Sequence, residues 1–154
     1  RVFVETLSKL AEKDDKIIVL IADVGINYLN DPNLKFKVLN LGVTEQSATI
    51  IASALALSGY KVYLYSMINF VLFRNYEMVR NGIVHHNANV KLIGVKGGEK
   101  YAFLGFSHNL DHEREDIVAC KNIGLKSYVP KNNKEVKEVI LKSYKSKNPA
   151  YVRL

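Results

Sequence analysis

Short apolar runs rich in β-branched residues alternate along the chain with longer stretches of helical periodicity, and this alternation narrows the possible folds more than any other feature. Ile17-Ile18-Val19-Leu20-Ile21-Ala22 is an unbroken apolar run, and Val90-Lys91-Leu92-Ile93-Gly94-Val95 is nearly one. Lys61 to Tyr65, Lys126 to Val129 and Ala150 to Leu154 complete a set of five expected strands. Runs without polar alternation suit strands covered on both faces, as in a parallel sheet. Helical spacing is expected from Phe3 to Ala11, from a Thr44 cap to Ser58, from Asn69 to His85, from Arg114 to Lys121 and from Glu135 to Lys145. A polar loop is expected through Asn27, Asn30, Asp31, Pro32 and Asn33. Helices between strands form βαβ crossovers, so the expected fold is α/β, a three-layer α/β/α arrangement with a mainly parallel sheet. The 154 residues, 48% of them hydrophobic, suit one domain spanning 1–154 and are few for two.

In such sheets ligands sit beyond the carboxyl ends of the strands. That rule selects residues 22–27, the turn before Glu45, residues 66–73 and residues 96–108. Glu45 follows Thr44 at the start of a helix whose run Ser47-Ala48-Thr49-Ile50-Ile51-Ala52-Ser53-Ala54-Leu55-Ala56 is small or apolar nearly all round. One reading of Glu45 is a carboxylate favoured by the helix dipole. The other is a functional acid at the mouth of a buried helix. Met67, Phe70 and Phe73 recur every three residues, which fits core packing or a platform for a flat heterocycle. Gly97 and Gly98 open a loop able to approach a ligand closely.

Several classes are excluded or disfavoured. GxxxxGK[ST] and GxGxxG are absent, so neither a P-loop nor a dinucleotide fingerprint is present. His108 and His112 stand four apart, but with no third histidine and no HExxH a metal site is not assigned. The net charge of +7 gathers partly on Lys131, Lys134, Lys137, Lys142, Lys145 and Lys147, a solvated helix face, with no basic-aromatic strip for nucleic acid. No apolar stretch is long enough to span a membrane. Cys120 is the only cysteine, so no internal disulfide forms, and a reducing, cytoplasmic setting is expected. The chain begins with Arg1 instead of Met, which suggests part of a longer protein.

The order of motifs resembles the transketolase family, specifically its pyrimidine-binding domain, across almost the whole chain. The resemblance rests on Ile21-Ala22-Asp23-Val24-Gly25, Asn40-Leu41-Gly42-Val43-Thr44-Glu45-Gln46, the Met67/Phe70/Phe73 segment, Gly105-Phe106-Ser107-His108 and Pro149-Ala150-Tyr151-Val152-Arg153-Leu154. Phe73-Arg74-Asn75-Tyr76-Glu77-Met78-Val79-Arg80-Asn81 also resembles the FRxYExxRN-type run of split, two-subunit transketolase-like proteins. The resemblance implies a thiamine diphosphate enzyme that transfers a two-carbon ketol unit between sugar phosphates. It implies that Glu45 hydrogen-bonds N1′ of the aminopyrimidine, that Met67, Phe70 and Phe73 pack around that ring, and that Asp23 lies near the thiazolium. His108 matches a histidine that contacts substrate hydroxyls and assists proton transfer. Lys96, Asn27 and Arg1 fall where substrate contacts are expected.

The family's GDG motif, which holds Mg2+ (or Ca2+ or Mn2+) against the diphosphate, is absent. A diphosphate-binding partner is therefore implied, with this domain as a homodimer or within a heterotetramer. Phe106 replaces the usual proline, Leu104 the substrate-reading aspartate and Lys96 a substrate-binding histidine. Those departures keep open a non-catalytic assembly role, as well as a deoxyxylulose-phosphate-synthase-like enzyme or the beta chain of a 2-oxo acid dehydrogenase.

Overall fold

The computed structural model describes residues 1–154. Six strands form one sheet: β1 (Ile17–Ile21), β2 (Lys37–Asn40), β3 (Lys61–Met67), β4 (Val90–Val95), β5 (Lys126–Tyr128) and β6 (Ala150–Arg153). Their order is β2-β1-β3-β4-β6-β5, and every neighbouring pair is parallel. The sheet is thus wholly parallel. The helices are α1 (Val2–Ala11), α2 (Ile26–Leu29), α3 (Glu45–Leu57), α4 (Tyr76–Met78), α5 (Glu115–Asn122) and α6 (Asn133–Lys145).

Alternation along the buried strands creates two cores. Ile18 and Leu20 of β1 join Val62, Leu64, Leu92 and Tyr151 in a cluster completed by Ala48 and Ala52 of α3 and Cys120 of α5. Ile17, Val19 and Ile21 point the other way, with Tyr63, Ile93 and Val152, and meet Phe3 and Leu7 of α1 and Ile140 of α6. Because side chains alternate with period two, a strand apolar at every position feeds both layers. Helix α6 starts on a reciprocal cap: the Asn132 side chain accepts from the Glu135 N–H at 3.0 Å, and the Glu135 carboxylate accepts from the Lys131 N–H at 2.8 Å, one residue before the cap.

Two buried polar groups brace the sheet. Asp116 of α5 is wholly buried and accepts from Tyr151 Oη at 2.6 Å and from Arg153 Nε and Nη2 at 3.0 and 2.7 Å. Burial and the Asp116 carboxylate hold the Tyr151 hydroxyl far above its ordinary range, so it stays a donor. Lys91, 2% exposed in β4, donates to the Asn148 and Ser146 carbonyls at 2.6 and 3.2 Å, and burial pushes its ammonium down to about 8.

The structure departs from expectation in five places. The polar loop expected from Asn27 onward opens with the short helix α2, Ile26–Leu29. Strand β2 was not expected, because four residues exposed or half-buried at a sheet edge leave no apolar run. The segment from Asn69 to His85 is not one α-helix: π-helical turns at Asn69–Phe73 and Val79–Val84 flank the short α4. Thr44 occupies the cap position of α3, but its hydroxyl donates back to the Leu41 carbonyl at 2.8 Å instead of accepting from the helix. The glycine loop is wound into 3₁₀ turns over Glu99–Ser107, kinked at Gly105 with φ 60° and ψ −150°, a conformation open only to glycine. No helix is long and apolar enough to cross a membrane.

Candidate functional site

A cavity of about 480 Å³ opens at the carboxyl ends of β1, β3 and β4. It lies beside the point where the chain, having run outward from β1 to β2, turns back to place β3 on the other side of β1. A crevice at such a switch point is the general ligand position in parallel sheets. The wall takes Asp23 and Asn27 from the segment after β1, Glu45 from the first turn of α3, Tyr65 and Met67 from β3, and Phe70 from the first π turn. Lys96 and Gly97 follow β4, and Lys100 and Tyr101 come from the 3₁₀ segment. A Cβ on Gly97 would stand 2.6 Å from the His108 carbonyl, so the loop can close this tightly only on glycine.

Glu45 is 4% exposed. A buried carboxylate needs a charged partner, and Arg74 supplies it: Nη1 lies 3.0 Å from each carboxylate oxygen. The same guanidinium sits 4.1 Å from the Phe70 ring centroid. Asp23 adopts φ 60°, uncommon outside glycine but best tolerated by residues such as Asp and Asn, and Asn40 fixes it from two sides. Asn40 Nδ2 donates to Asp23 Oδ1 at 2.8 Å, and the Asp23 N–H returns a bond to Asn40 Oδ1 at 3.1 Å. Burial raises the Tyr65 hydroxyl above its usual range, with Tyr28 adding to the shift.

Six of the residues singled out from the sequence therefore share one cavity: Glu45, Asp23, Met67, Phe70, Lys96 and Asn27. His108 stands just behind the wall, edge-to-face with Phe70 at 5.0 Å and stacked on Tyr101 at 6.0 Å. Its Nδ1 is 2.8 Å from the Ser107 hydroxyl. Phe73 is half-buried and does not line the cavity. The π turn winds more loosely than the roughly 3.6 residues per turn of an α-helix, so residues three apart are no longer on one stripe. Arg1 is also elsewhere, exposed at the start of α1 and paired with Glu5 at 3.0 Å. Sequence reasoning missed Arg74, Asn40, Lys100 and Tyr101. Arg74 lay in plain view within the run from Phe73 to Asn81, but nothing local in sequence tied it to Glu45.

The model of the family described as transketolase, pyrimidine binding domain, matches residues 1–154. The chain belongs to that family. Among curated relatives, an apulose-4-phosphate transketolase subunit of Phocaeicola vulgatus is 30% identical, covering 99% of this chain and 49% of that protein. A putative transketolase C-terminal section from Methanocaldococcus jannaschii is also 30% identical, covering 97% of this chain and 48% of its own length. A solved split-gene transketolase, described as an inactive beta4 tetramer, superposes with a TM-score of 0.84 at 25% identity, covering 99% of this chain and 49% of that one. The domain thus spans about half the length of the relatives it matches, and its wholly parallel sheet is the fold of the transketolase pyrimidine domain.

Proposed function

We propose that this domain is the pyrimidine-binding half of a thiamine diphosphate-dependent, transketolase-like transferase, completed by a diphosphate-binding partner. The observation that carries this reading is a single acid, Glu45, buried yet opening onto a cavity walled by Phe70 and Met67. An aromatic face, a polarizable thioether and a carboxylate at one edge suit a flat nitrogen heterocycle that presents a ring nitrogen. The residues present fit the pyrimidine end of the cofactor. They do not offer a set for the divalent ion, since no three His, Cys, Asp or Glu side chains converge. The diphosphate end and its metal, Mg2+ or a similar ion, are assigned to the partner, and the domain would serve as a homodimer or within a heterotetramer.

Bound thiamine diphosphate supplies a carbon nucleophile that takes up a two-carbon ketol unit and passes it on. This chain's residues prepare that chemistry. Glu45 exchanges a proton at N1′ of the pyrimidine, and Phe70 and Met67 fix the ring plane and exclude water. Asp23, held by Asn40, presents a carboxylate from the β1 side. Lys96 and Lys100 put positive charge on the opposite wall, which favours a sugar carrying an anionic group. The Phocaeicola vulgatus relative is named for apulose 4-phosphate, a substrate of that kind. His108, which lies outside the cavity lining against Phe70, Tyr101 and Ser107, is assigned contact with substrate hydroxyls on the family resemblance, and Asn27 adds a hydrogen-bonding side chain to the cavity.

Titration of the complete subunit with thiamine diphosphate and Mg2+, with and without its diphosphate-binding partner, tests this reading. Tight binding only in the complex is expected. Tight binding to the subunit alone refutes the shared site.

A further inference from the structure

We propose that Arg74 is the positioning residue of Glu45, a role that rests on the cofactor reading above. Nη1 of Arg74 is 3.0 Å from both oxygens of Glu45, so one NH2 group bridges the carboxylate and restrains where it points. Glu45 and Phe70 line the cavity, whereas Arg74 does not. The guanidinium, its side chain 42% exposed, bridges the two, 4.1 Å from the Phe70 ring centroid. Its own backbone is held at both ends. The Arg74 N–H donates to the Asn69 carbonyl at 2.9 Å, and its carbonyl accepts from Gln46 Nε2 at 3.2 Å. Gln46 follows Glu45 in α3, so the helix carrying the acid and the turn carrying the aromatic wall are laced together twice.

This arrangement meets a specific chemical need. A carboxyl buried without a cation takes up a proton instead of holding charge. With Arg74 paired to it, the Glu45 carboxylate has a charged partner and is held in one direction before any cofactor arrives. Arg74 occupies one side of the carboxylate, which leaves its cavity side free to share a proton with a ring nitrogen. Arg74 also backs Phe70, so one guanidinium sets the acid and the stacking surface relative to each other.

The test uses the complex of this subunit with its diphosphate-binding partner, loaded with thiamine diphosphate and Mg2+. The rate of hydrogen–deuterium exchange at C2 of the cofactor, without sugar, reports what Glu45 does, and calorimetric titration reports cofactor affinity. Arg74→Gln is expected to slow exchange and lower kcat by about 10- to 100-fold, to weaken cofactor binding about fivefold, and to leave the KM for the ketose within about twofold. Added to Glu45→Gln it is expected to slow exchange no further, because for that step the two side chains act as one unit. Arg74→Lys, which keeps the charge but not the planar stack on Phe70, is expected to recover only part of the loss, and a Lys variant equal to the parent in both exchange and affinity overturns the proposal where the Gln variant assembles poorly. Exchange and affinity both within about twofold of the parent in Arg74→Gln, or exchange losses that multiply in the double variant, would overturn the proposal. Normal exchange in Glu45→Gln removes the cofactor reading itself. Slow exchange in Glu45→Gln with normal exchange in Arg74→Gln removes only the role given to Arg74.

Discussion

On the α3 side of the cavity, Glu45 is 4% exposed and held by an ion pair, and Asp23 is held by two hydrogen bonds with Asn40. Across from it, in the 3₁₀ segment, Phe103 and Phe106 are 83% and 80% exposed. That second wall is ordered through its backbone. Asn69 Nδ2 donates to the Phe106 and Asn109 carbonyls at 2.9 and 3.1 Å, and Asn109 Nδ2 donates to the Tyr101 and Gly105 carbonyls at 2.8 and 3.0 Å. Bonds to carbonyls do not depend on which side chain the residue carries. The first wall therefore specifies its chemistry residue by residue, while the second keeps its shape when side chains change. Lys96, Leu104 and Phe106, the positions where the resemblance implies a departure from the family pattern, fall in the cavity lining or in the 3₁₀ segment beside it.

Substitutions on the two walls separate these behaviours. The largest effect is expected from Glu45→Gln, which keeps shape and removes the proton acceptor. Turnover of the complex should fall by ~100-fold or more, and a loss of only a few-fold would mean the first wall is not catalytic. Phe70→Ala comes next. It removes the stacking surface, and cofactor affinity measured by calorimetry should fall by about 10-fold, in keeping with ~0.5–1.5 kcal/mol for an aromatic pair beyond area burial. Lys96→Ala together with Lys100→Ala should raise the KM for a phosphorylated sugar about three- to tenfold and leave cofactor affinity unchanged, since both are exposed charges whose contribution is steering and pairing. The smallest effect belongs to Phe106→Ala. Because only its carbonyl is bonded into the loop, stability in urea should change by less than ~0.5 kcal/mol. A larger loss would show that the ring, not the backbone, orders that wall.

Much of the site was legible because its residues fall at strand ends and helix starts, where local pattern is informative. Glu45 stood out as an acid opening a helix that is apolar all round, and six of the nine chosen residues reach one cavity. Phe73 did not, because hydrophobic spacing reports that a segment is buried but not whether its turns are α or π. Strand β2 escaped notice for the opposite reason: an edge strand has little apolar surface to hide, so it leaves no periodic signal.

The sequence by itself determined the parallel α/β architecture, since strands apolar at every position fold stably only between two helical layers. It also singled out the acid that opens α3, although that helix is not buried all round as its apolar run suggested: Ile50, Ile51 and Leu57 are 45%, 38% and 60% exposed. Only the tertiary structure decided what neutralises that acid. Arg74 is 29 residues away from Glu45, and an ion pair across that distance is fixed by how α3 and the π turn pack on the sheet, which no local pattern records. Asp23 and Asn40 illustrate the same point, joined across 17 residues because β1 and β2 end side by side.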